Sequence, residues 1–212
     1  MTDSIPCDVV VIGAGSAGIA ASIAAAEKGM KTILIERLNF SGGKATSAEV
    51  RTLCGFFKNQ TKKPEWINKG FPLKFASALA ERCQTKPISF DKGLFFLPYE
   101  PFQFKLLADQ YLKNAGVQVF YHSALSSVSK SKDKISSLRF INKDRLVEIK
   151  PKFVIDSSGE AIVSKLINAS VLTDQTYQSA TLLFTLSGLD FKDEALINLV
   201  VNKALRKAFL EE

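Results

Sequence analysis

Hydrophobic runs and helical repeats follow one another at the start of the chain. An apolar, β-branched run at 8–12 predicts a strand, an alanine-rich segment at 16–28 predicts a helix, and residues 31–36 predict a second strand. Gly29 follows the helical segment and is typical of a helix end. These elements predict a strand–helix–strand unit whose two parallel strands are covered on both faces of their sheet.

The later pattern adds one helix and several strands. Apolar residues recur at helical spacing over 101–114, and Gly116 follows them as a stop signal. Shorter apolar runs predict strands at 117–121, 125–128, 135–141, 146–149 and 153–155. The three strands between 125 and 149 are predicted to form a small antiparallel meander, and 153–155 is predicted to be a buried strand.

The length and composition are those of a folded protein. The 212 residues are 46% hydrophobic and 23% charged, which excludes disordered, collagen-like and fibrous classes. We predict an α/β first domain over residues 1–170, with an irregular insertion at about 49–98. Residues 171–212 are predicted to begin a second domain and to include an amphipathic helix at about 193–209.

A glycine-rich turn lies between the first predicted strand and helix, with the pattern GxGxxG. In such a turn the first glycine permits the tight bend, the second lets a diphosphate approach the backbone, and the third lets helix and strand pack closely. The amides at the helix start point at the phosphates, with the positive end of the helix dipole behind them. The pattern predicts a dinucleotide-binding turn formed by Gly13, Ala14, Gly15, Ser16, Ala17 and Gly18.

An acidic residue stands at the end of the second strand, where a dinucleotide site needs one. Glu36 lies 18 residues after Gly18, close to the expected spacing. Its carboxylate accepts hydrogen bonds from ribose hydroxyls and repels a 2′-phosphate, which favours FAD or NAD over NADP. A glycine turn in an α/β protein that binds no nucleotide is the alternative interpretation.

Two features favour FAD over NAD. Gly42 and Gly43 closely follow the ribose carboxylate, and the meander is unlike a simple NAD domain, which continues with further strand–helix units. With these features, the sequence resembles the FAD-dependent oxidoreductases of the glutathione-reductase-like superfamily, particularly its fumarate-reductase-like branch. The resemblance spans residues 8–170 and is carried by DVVVIGAGSAGIAASIAAAEKG, SGGKATSAEVRTLCGFF, GVQVFYHSALSSV and FVIDSSGEAIVSKL. It implies a Rossmann-like FAD-binding βαβ domain with an antiparallel β-meander, followed by the start of a substrate or cap domain.

The resemblance also implies which residues hold FAD. The glycines of the turn hold the pyrophosphate, Glu36 binds the adenosine ribose, and Arg37 belongs to the same binding set. The Leu125 backbone meets the adenine, while Ser158 and Gly159 close over the ADP part. The ribityl and flavin side is expected at the segment that we call the flavin-side loop, namely Gly42, Gly43, Lys44, Ala45 and Thr46.

The implied function is an FAD-dependent oxidoreductase that transfers hydride through the flavin. Its substrate is expected to be a small molecule that the sequence does not identify. Members of this group continue with a substrate domain and a late glycine segment, and nothing after Leu189 resembles that segment. The alternative is therefore an incomplete or non-catalytic FAD-binding subunit or fragment that needs a partner chain to complete the flavin site.

Charge and cysteine content narrow the possible partners and compartments. The net charge of +7 allows a nucleic-acid partner, including flavin-dependent RNA modification, but the basic residues are scattered and we interpret them as solvated loops. Asp8 and three glycines interrupt the apolar stretch at 5–26, so we predict no membrane span. Because the sequence shows no export signal and no patterned cysteine set, a cytoplasmic location is expected. One histidine and three unpaired cysteines are too few for the usual kind of zinc site, so we predict no metal site.

No residue in the sequence is assigned a catalytic role. Cys54 follows the flavin-side loop, but without a second spaced cysteine it is interpreted as a small apolar residue. His122, at a strand end, is interpreted as satisfied or exposed. Lys44 and Arg51 lie on either side of a stretch expected to face the flavin and have the charge to stabilise a reduced anionic flavin, although a surface charge is the simpler interpretation.

Overall fold

A computed structural model describes residues 4–90, 93–173, 176, 179–183, 187–188 and 194–210. The chain divides into two units, Met1–Ser179 and Ala180–Glu212. The strands of the first unit are β1 (Ser4–Ile12), β2 (Thr32–Ile35), β3 (Thr52–Leu53), β4 (Ile88–Ser89), β5 (Phe95–Pro98), β6 (Gln118–Phe120), β7 (Ser123–Ser131), β8 (Lys134–Asn142) and β9 (Arg145–Asp156). Its helices are α1 (Ser16–Glu27), α2 (Lys44–Ser47), α3 (Phe71–Arg82), α4 (Pro101–Asn114) and α5 (Ile162–Leu166).

One six-stranded sheet, in the order β6-β2-β1-β9-β8-β7, forms the centre of the first unit. Strand β1 is parallel to both β2 and β9, and β2 is parallel to β6. The remaining pairs, β7 with β8 and β8 with β9, are antiparallel. This arrangement confirms the predicted α/β fold with a Rossmann-like parallel part and an antiparallel meander.

Strand β1 is buried on both faces, as the strand–helix–strand pattern predicts. Val9 and Val11 pack in a cluster with residues of α1, α3 and α4. Val10 and Ile12, on the opposite face, pack in a second cluster with Leu138 and other residues of β8 and β9. Helices therefore cover one face of the parallel strands and the meander covers the other, which holds the carboxyl end of β1 in a fixed position.

Strand β9, the last strand along the chain, differs from the prediction. Residues 146–149 and 153–155 are expected as separate strands, but both belong to β9, which pairs with β8 over 145–149 and runs parallel to β1 over 148–156. The expectation of a buried strand at 153–155 is wrong at Phe153, which is 61% exposed. Since the pairing of β8 with β9 ends at Leu138 and Ile149, this part of β9 has a described neighbour only in β1.

The insertion at about 49–98 is more regular than predicted. It contains the 12-residue helix α3 and a small sheet in the order β3-β5-β4. Phe75, Ala76 and Leu79 give α3 a buried face, while Phe57 and Leu97 form a separate small core. Helix α3 starts directly after Gly70, which has φ +74°, and proline lies in its first turn.

The second unit contains one described helix, α6 (Glu194–Leu210), which confirms the predicted amphipathic helix. Its apolar residues include Leu199 and Leu205, whose side chains are more than half exposed. In the described part of the chain, every helix is too short or too polar to cross a bilayer.

Candidate functional site

Two glycines of the GxGxxG turn are required by close packing within the protein. Gly13 has φ +95°, and a Cβ atom there would lie 2.6 Å from the Ser157 carbonyl oxygen. A Cβ atom at Gly18 would lie 1.9 Å from the Gly13 carbonyl oxygen. These glycines let α1 lie against the turn and let the Ser157 segment cross above it, so the turn is formed by contacts of the fold itself.

The middle glycine has a different environment. A Cβ atom at Gly15 would meet nothing within 4 Å, and φ −68° with ψ 178° is extended backbone that any residue adopts. Gly15 is also the N-cap of α1, and no side chain among the described residues caps this helix start. The first-turn amides of a helix have no acceptor within the helix, so an open, uncapped helix start is an anion site that a diphosphate fits.

Glu36 is 6% exposed, and its carboxylate lies next to this turn. Its Oε2 accepts a hydrogen bond from the Ala14 amide at 2.6 Å, and its Oε1 accepts one from the Leu38 amide at 2.8 Å. The side chain thus ties the end of β2 to the glycine turn. Because each carboxylate oxygen has two lone pairs, both oxygens retain the capacity to accept one ribose hydroxyl.

Glu36→Gln is expected to weaken FAD binding about 10- to 100-fold and to lower the unfolding free energy by about 1–3 kcal/mol. A glutamine amide has one acceptor oxygen, so either Ala14 or Leu38 loses its partner. Flavin titration and urea unfolding measure the two effects. The matched control is Glu27→Gln at the exposed end of α1, which should change neither value; equal behaviour of the two variants would contradict the assignment.

The flavin-side loop packs directly against the glycine turn. The Gly42 amide donates to the Ala14 carbonyl at 2.8 Å, and a Cβ atom at Gly43 would lie 3.0 Å from the Gly15 Cα. Thr46 is buried, and its hydroxyl donates to the Ser41 carbonyl at 2.9 Å. Two segments separated by 24 or more residues in the sequence are therefore brought together as the resemblance implies, with Lys44 exposed on the loop.

Two tyrosines that the sequence analysis did not single out hold this loop. Tyr99, which follows β5, donates its hydroxyl to the Ala45 carbonyl at 2.8 Å. Tyr121, which follows β6, shares a hydrogen bond of 2.7 Å with the Ser41 hydroxyl and donates to the Asp109 carboxylate. Burial first, and then the Asp109 hydrogen bond, raise the pKa of Tyr121 well above its usual range. Nothing in the local spacing around these tyrosines predicts their contacts, because they come from a different part of the chain.

The Tyr99 contact predicts a loss of stability at high pH. Burial, with smaller effects of Glu49 and Cys54, raises the pKa of Tyr99 to about 12 from 10.0. The neutral phenol is thus favoured in the folded state, so its contribution is complete below pH 10 and is lost as the pH rises to about 12. We expect urea unfolding to show a steeper fall in stability between pH 10 and 12 for the wild type than for Tyr99→Phe. Parallel curves for the two proteins would contradict this prediction.

The segment after β9 lies on the other side of the glycine turn. The Ser157 amide donates to the Ile12 carbonyl at 2.8 Å, which places this segment directly beside the end of β1. The Ser158 hydroxyl accepts the Ile162 amide at 3.1 Å, so it stabilises its own loop, while a Cβ atom at Gly159 would meet nothing within 4 Å. This loop therefore offers backbone at Gly159 and a small side chain at Ser158 to a group that lies in the turn.

The end of β2 is linked both to this segment and to β7. Arg37 forms an ion pair with Glu160 at 3.4 Å, and both side chains are exposed. The Ser123 amide donates to the Glu36 carbonyl at 2.9 Å, so the start of β7 lies beside the acidic residue. Leu125 lies two residues further along β7, at a shift in strand register, with its side chain partly buried in the core.

The remaining candidates lie apart from a shared reaction centre. Cys54 is exposed, with its thiol 3.7 Å from the Thr52 hydroxyl. Arg51 lies 3.3 Å from Glu49 and 3.7 Å from Glu100, which matches the interpretation as a surface charge. His122 is exposed and has φ +52°. The structure thus joins the sequence-predicted residues of the turn, the acidic position and the flavin-side loop into one site, and assigns none of these three to it.

Comparison with solved structures agrees with this architecture. Thermovibrio ammonificans THI4 matches 77% of the chain at a TM-score of 0.54 and 16% identity, over 62% of its own length. A geranylgeranyl bacteriochlorophyll reductase-like protein from Thermoplasma acidophilum matches 81% of the chain at a TM-score of 0.57 and 20% identity, over 44% of its own length. At these identities the likeness concerns the fold.

Comparison with curated sequences gives a distant relative. Digeranylgeranylglycerophospholipid reductase from Methanothrix thermoacetophila is 27% identical over 156 residues, or 72% of this chain. The chain spans 39% of the length of that relative. The sequence model of the FAD dependent oxidoreductase family matches residues 8–209, nearly the whole chain. This match confirms FAD as the expected cofactor and shows that the chain belongs to the FAD dependent oxidoreductase family.

Proposed function

We propose that this chain is the FAD-holding part of an oxidoreductase that exchanges hydride between flavin and a small-molecule substrate. The observation that carries the proposal is the open, uncapped start of α1 at Gly15, directly beside the buried Glu36 carboxylate. An anion site with a hydroxyl acceptor directly beside it matches the pyrophosphate and the ribose of a dinucleotide.

Different residues of the proposed site bind different parts of FAD. The backbone of residues 13–18 holds the pyrophosphate, and Glu36 accepts hydrogen bonds from the adenosine ribose. Arg37 and the Leu125 backbone border the adenine, and residues 158–159 close over the ADP part. The loop at 42–46 meets the ribityl chain and the flavin.

When bound, FAD supplies a two-electron carrier that accepts or donates hydride at the flavin ring. The protein supplies position and an electrostatic environment. The helix start compensates the diphosphate charge, and a 2′-phosphate beside Glu36 would be repelled. Tyr99 and Tyr121 fix the backbone against which the flavin lies, since each holds one end of that loop through a hydroxyl. Lys44, exposed on the loop, is our candidate for stabilising negative charge on reduced flavin.

We also propose a reducing, cytoplasmic environment for the protein. Cys7, Cys54 and Cys83 are all free thiols. Burial raises the pKa of Cys7 to about 11, which keeps its thiol protonated at neutral pH. Free, unpaired cysteines are usual in a compartment that keeps thiols reduced.

Titration of the purified chain with FAD tests the proposal. We expect saturable binding of one FAD per chain, competition by ADP and weaker competition by FMN, since FMN lacks the ADP half that the turn holds. Anaerobic reduction of the complex with dithionite and reoxidation by air should then show that the bound flavin cycles. A folded chain that takes up no FAD would overturn the proposal, and uptake that appears only when a second protein is added would favour the incomplete-subunit alternative.

A further inference from the structure

An apolar pocket of about 160 Å³ opens beside the first turn of α1. Its walls come from α1, α3, α4 and the segment around β3, and they include Ala20, Phe56, Phe71, Phe75 and Phe104. Ser16 supplies the single polar side chain among its described lining residues. The pocket therefore belongs to the first unit of the chain and is built mainly from carbon.

The aromatic walls hold one another in place. The rings of Phe75 and Phe104 meet nearly edge to face, with centroids 5.0 Å apart, and Phe71 and Phe75 lie 5.7 Å apart. Phe75 and Phe104 are 7% and 3% exposed, so they are fixed within the core. Such ring pairs restrict side-chain motion, which makes the pocket a preformed cavity.

The pocket borders the glycine turn directly and is linked to the flavin-side loop through Tyr99. Ser16 belongs to the glycine turn. Phe104 packs on Tyr99 with ring centroids 5.5 Å apart, and Tyr99 holds the Ala45 carbonyl of the flavin-side loop. If the glycine turn holds FAD as proposed, an occupant of the pocket lies next to it.

The size and polarity of the pocket indicate what it binds. The pocket is partly open to solvent, but an ordered water molecule needs two to four polar partners and the lining offers one serine hydroxyl. An apolar space of about 150 Å³ is large enough for a molecule the size of benzene. We propose that the pocket binds a compact apolar group of the substrate, namely an aromatic ring or a branched alkyl group of about six carbons. This inference rests on the proposed function, because the substrate is the molecule that exchanges hydride with the flavin.

Toluene binding to the FAD-loaded chain, followed by NMR, tests this proposal. Ala20→Phe fills the pocket from α1, and Ala24→Phe adds the same ring at an exposed position one turn further along the helix. We expect toluene affinity to fall at least tenfold in Ala20→Phe and to stay at the wild-type value in Ala24→Phe. Ala20→Leu, a smaller change, should give an intermediate loss if Ala20→Phe does not fold.

Two results would overturn the proposal. One is equal toluene affinity in all variants. The other is displacement of toluene from the FAD-free protein by FAD, with weaker FAD binding in Ala20→Phe, because the pocket would then hold the dimethylbenzene ring of the flavin. Failure of the proposed function is seen separately, since the FAD titration of the same wild-type sample would show no uptake while toluene still binds to the FAD-free chain.

Discussion

Gly15→Asp is expected to weaken FAD binding at least about 100-fold while leaving the apo protein as stable as the wild type or more stable by about 1 kcal/mol. The added side chain enters open space, and the backbone at Gly15 suits any residue. Aspartate is a favoured N-cap, so its carboxylate satisfies the first-turn amides of α1 and interacts well with the helix dipole. The same carboxylate occupies the diphosphate position and repels its charge.

Flavin titration and urea unfolding of the apo protein measure the two halves of this prediction. Gly15→Asn is the matched variant, because it caps the helix without a negative charge. We expect its FAD affinity to fall less than that of Gly15→Asp. The difference between the two variants then measures the charge repulsion between the aspartate and the diphosphate. Wild-type FAD affinity in Gly15→Asp would show that the dinucleotide does not lie at this helix start.

Gly18→Ala is expected to have the opposite pattern, with a loss of about 3 kcal/mol or more in the unfolding free energy of the apo protein. The new methyl group would lie 1.9 Å from the Gly13 carbonyl oxygen and 3.0 Å from the Gly13 carbonyl carbon. Both are backbone atoms of a turn that is also packed against Ser157, so α1 must move away from the sheet for the side chain to fit.

The control for Gly18→Ala is Gly15→Ala, which adds the same methyl group three residues earlier in open space. Urea unfolding without FAD should separate the two variants clearly, with Gly15→Ala within about 1 kcal/mol of the wild type. Equal stability of the two alanine variants would mean that the close approach of α1 to the turn is not a feature of the folded protein.

The sequence predicts the parts of this fold that depend on local patterns. The strand at 8–12, the alanine-rich helix and the meander each have a period or a stop signal of their own, and all are present. Helix α3 was not predicted. Its apolar face, formed by Phe75, Ala76 and Leu79, is short and lies among prolines and lysines in the sequence, and the burial of this face depends on packing against the core.

Within the site, too, the features that depend on local sequence patterns are predictable and those that depend on tertiary packing are not. The glycine turn and Glu36 are predictable because a short spacing reports a steric and chemical requirement. Tyr99 and Tyr121 are not, since each acts on a loop more than 50 residues away through one hydroxyl. Phe153 was expected to be buried because its neighbours are apolar, but its exposure depends on which strands lie beside β9, and a local sequence pattern carries no such information.

The most direct test of the proposed dinucleotide site is an amide NMR titration of the FAD-free chain with ADP, which carries the diphosphate, the ribose and the adenine but no flavin. We expect the largest shifts at the amides of Gly15, Ser16 and Ala17, a further shift at Ala14 through its bond to Glu36, and loss of these shifts in Gly15→Asp. Binding of ADP that leaves those amides unchanged, or the same shifts in Gly15→Asp as in the wild type, would contradict the account.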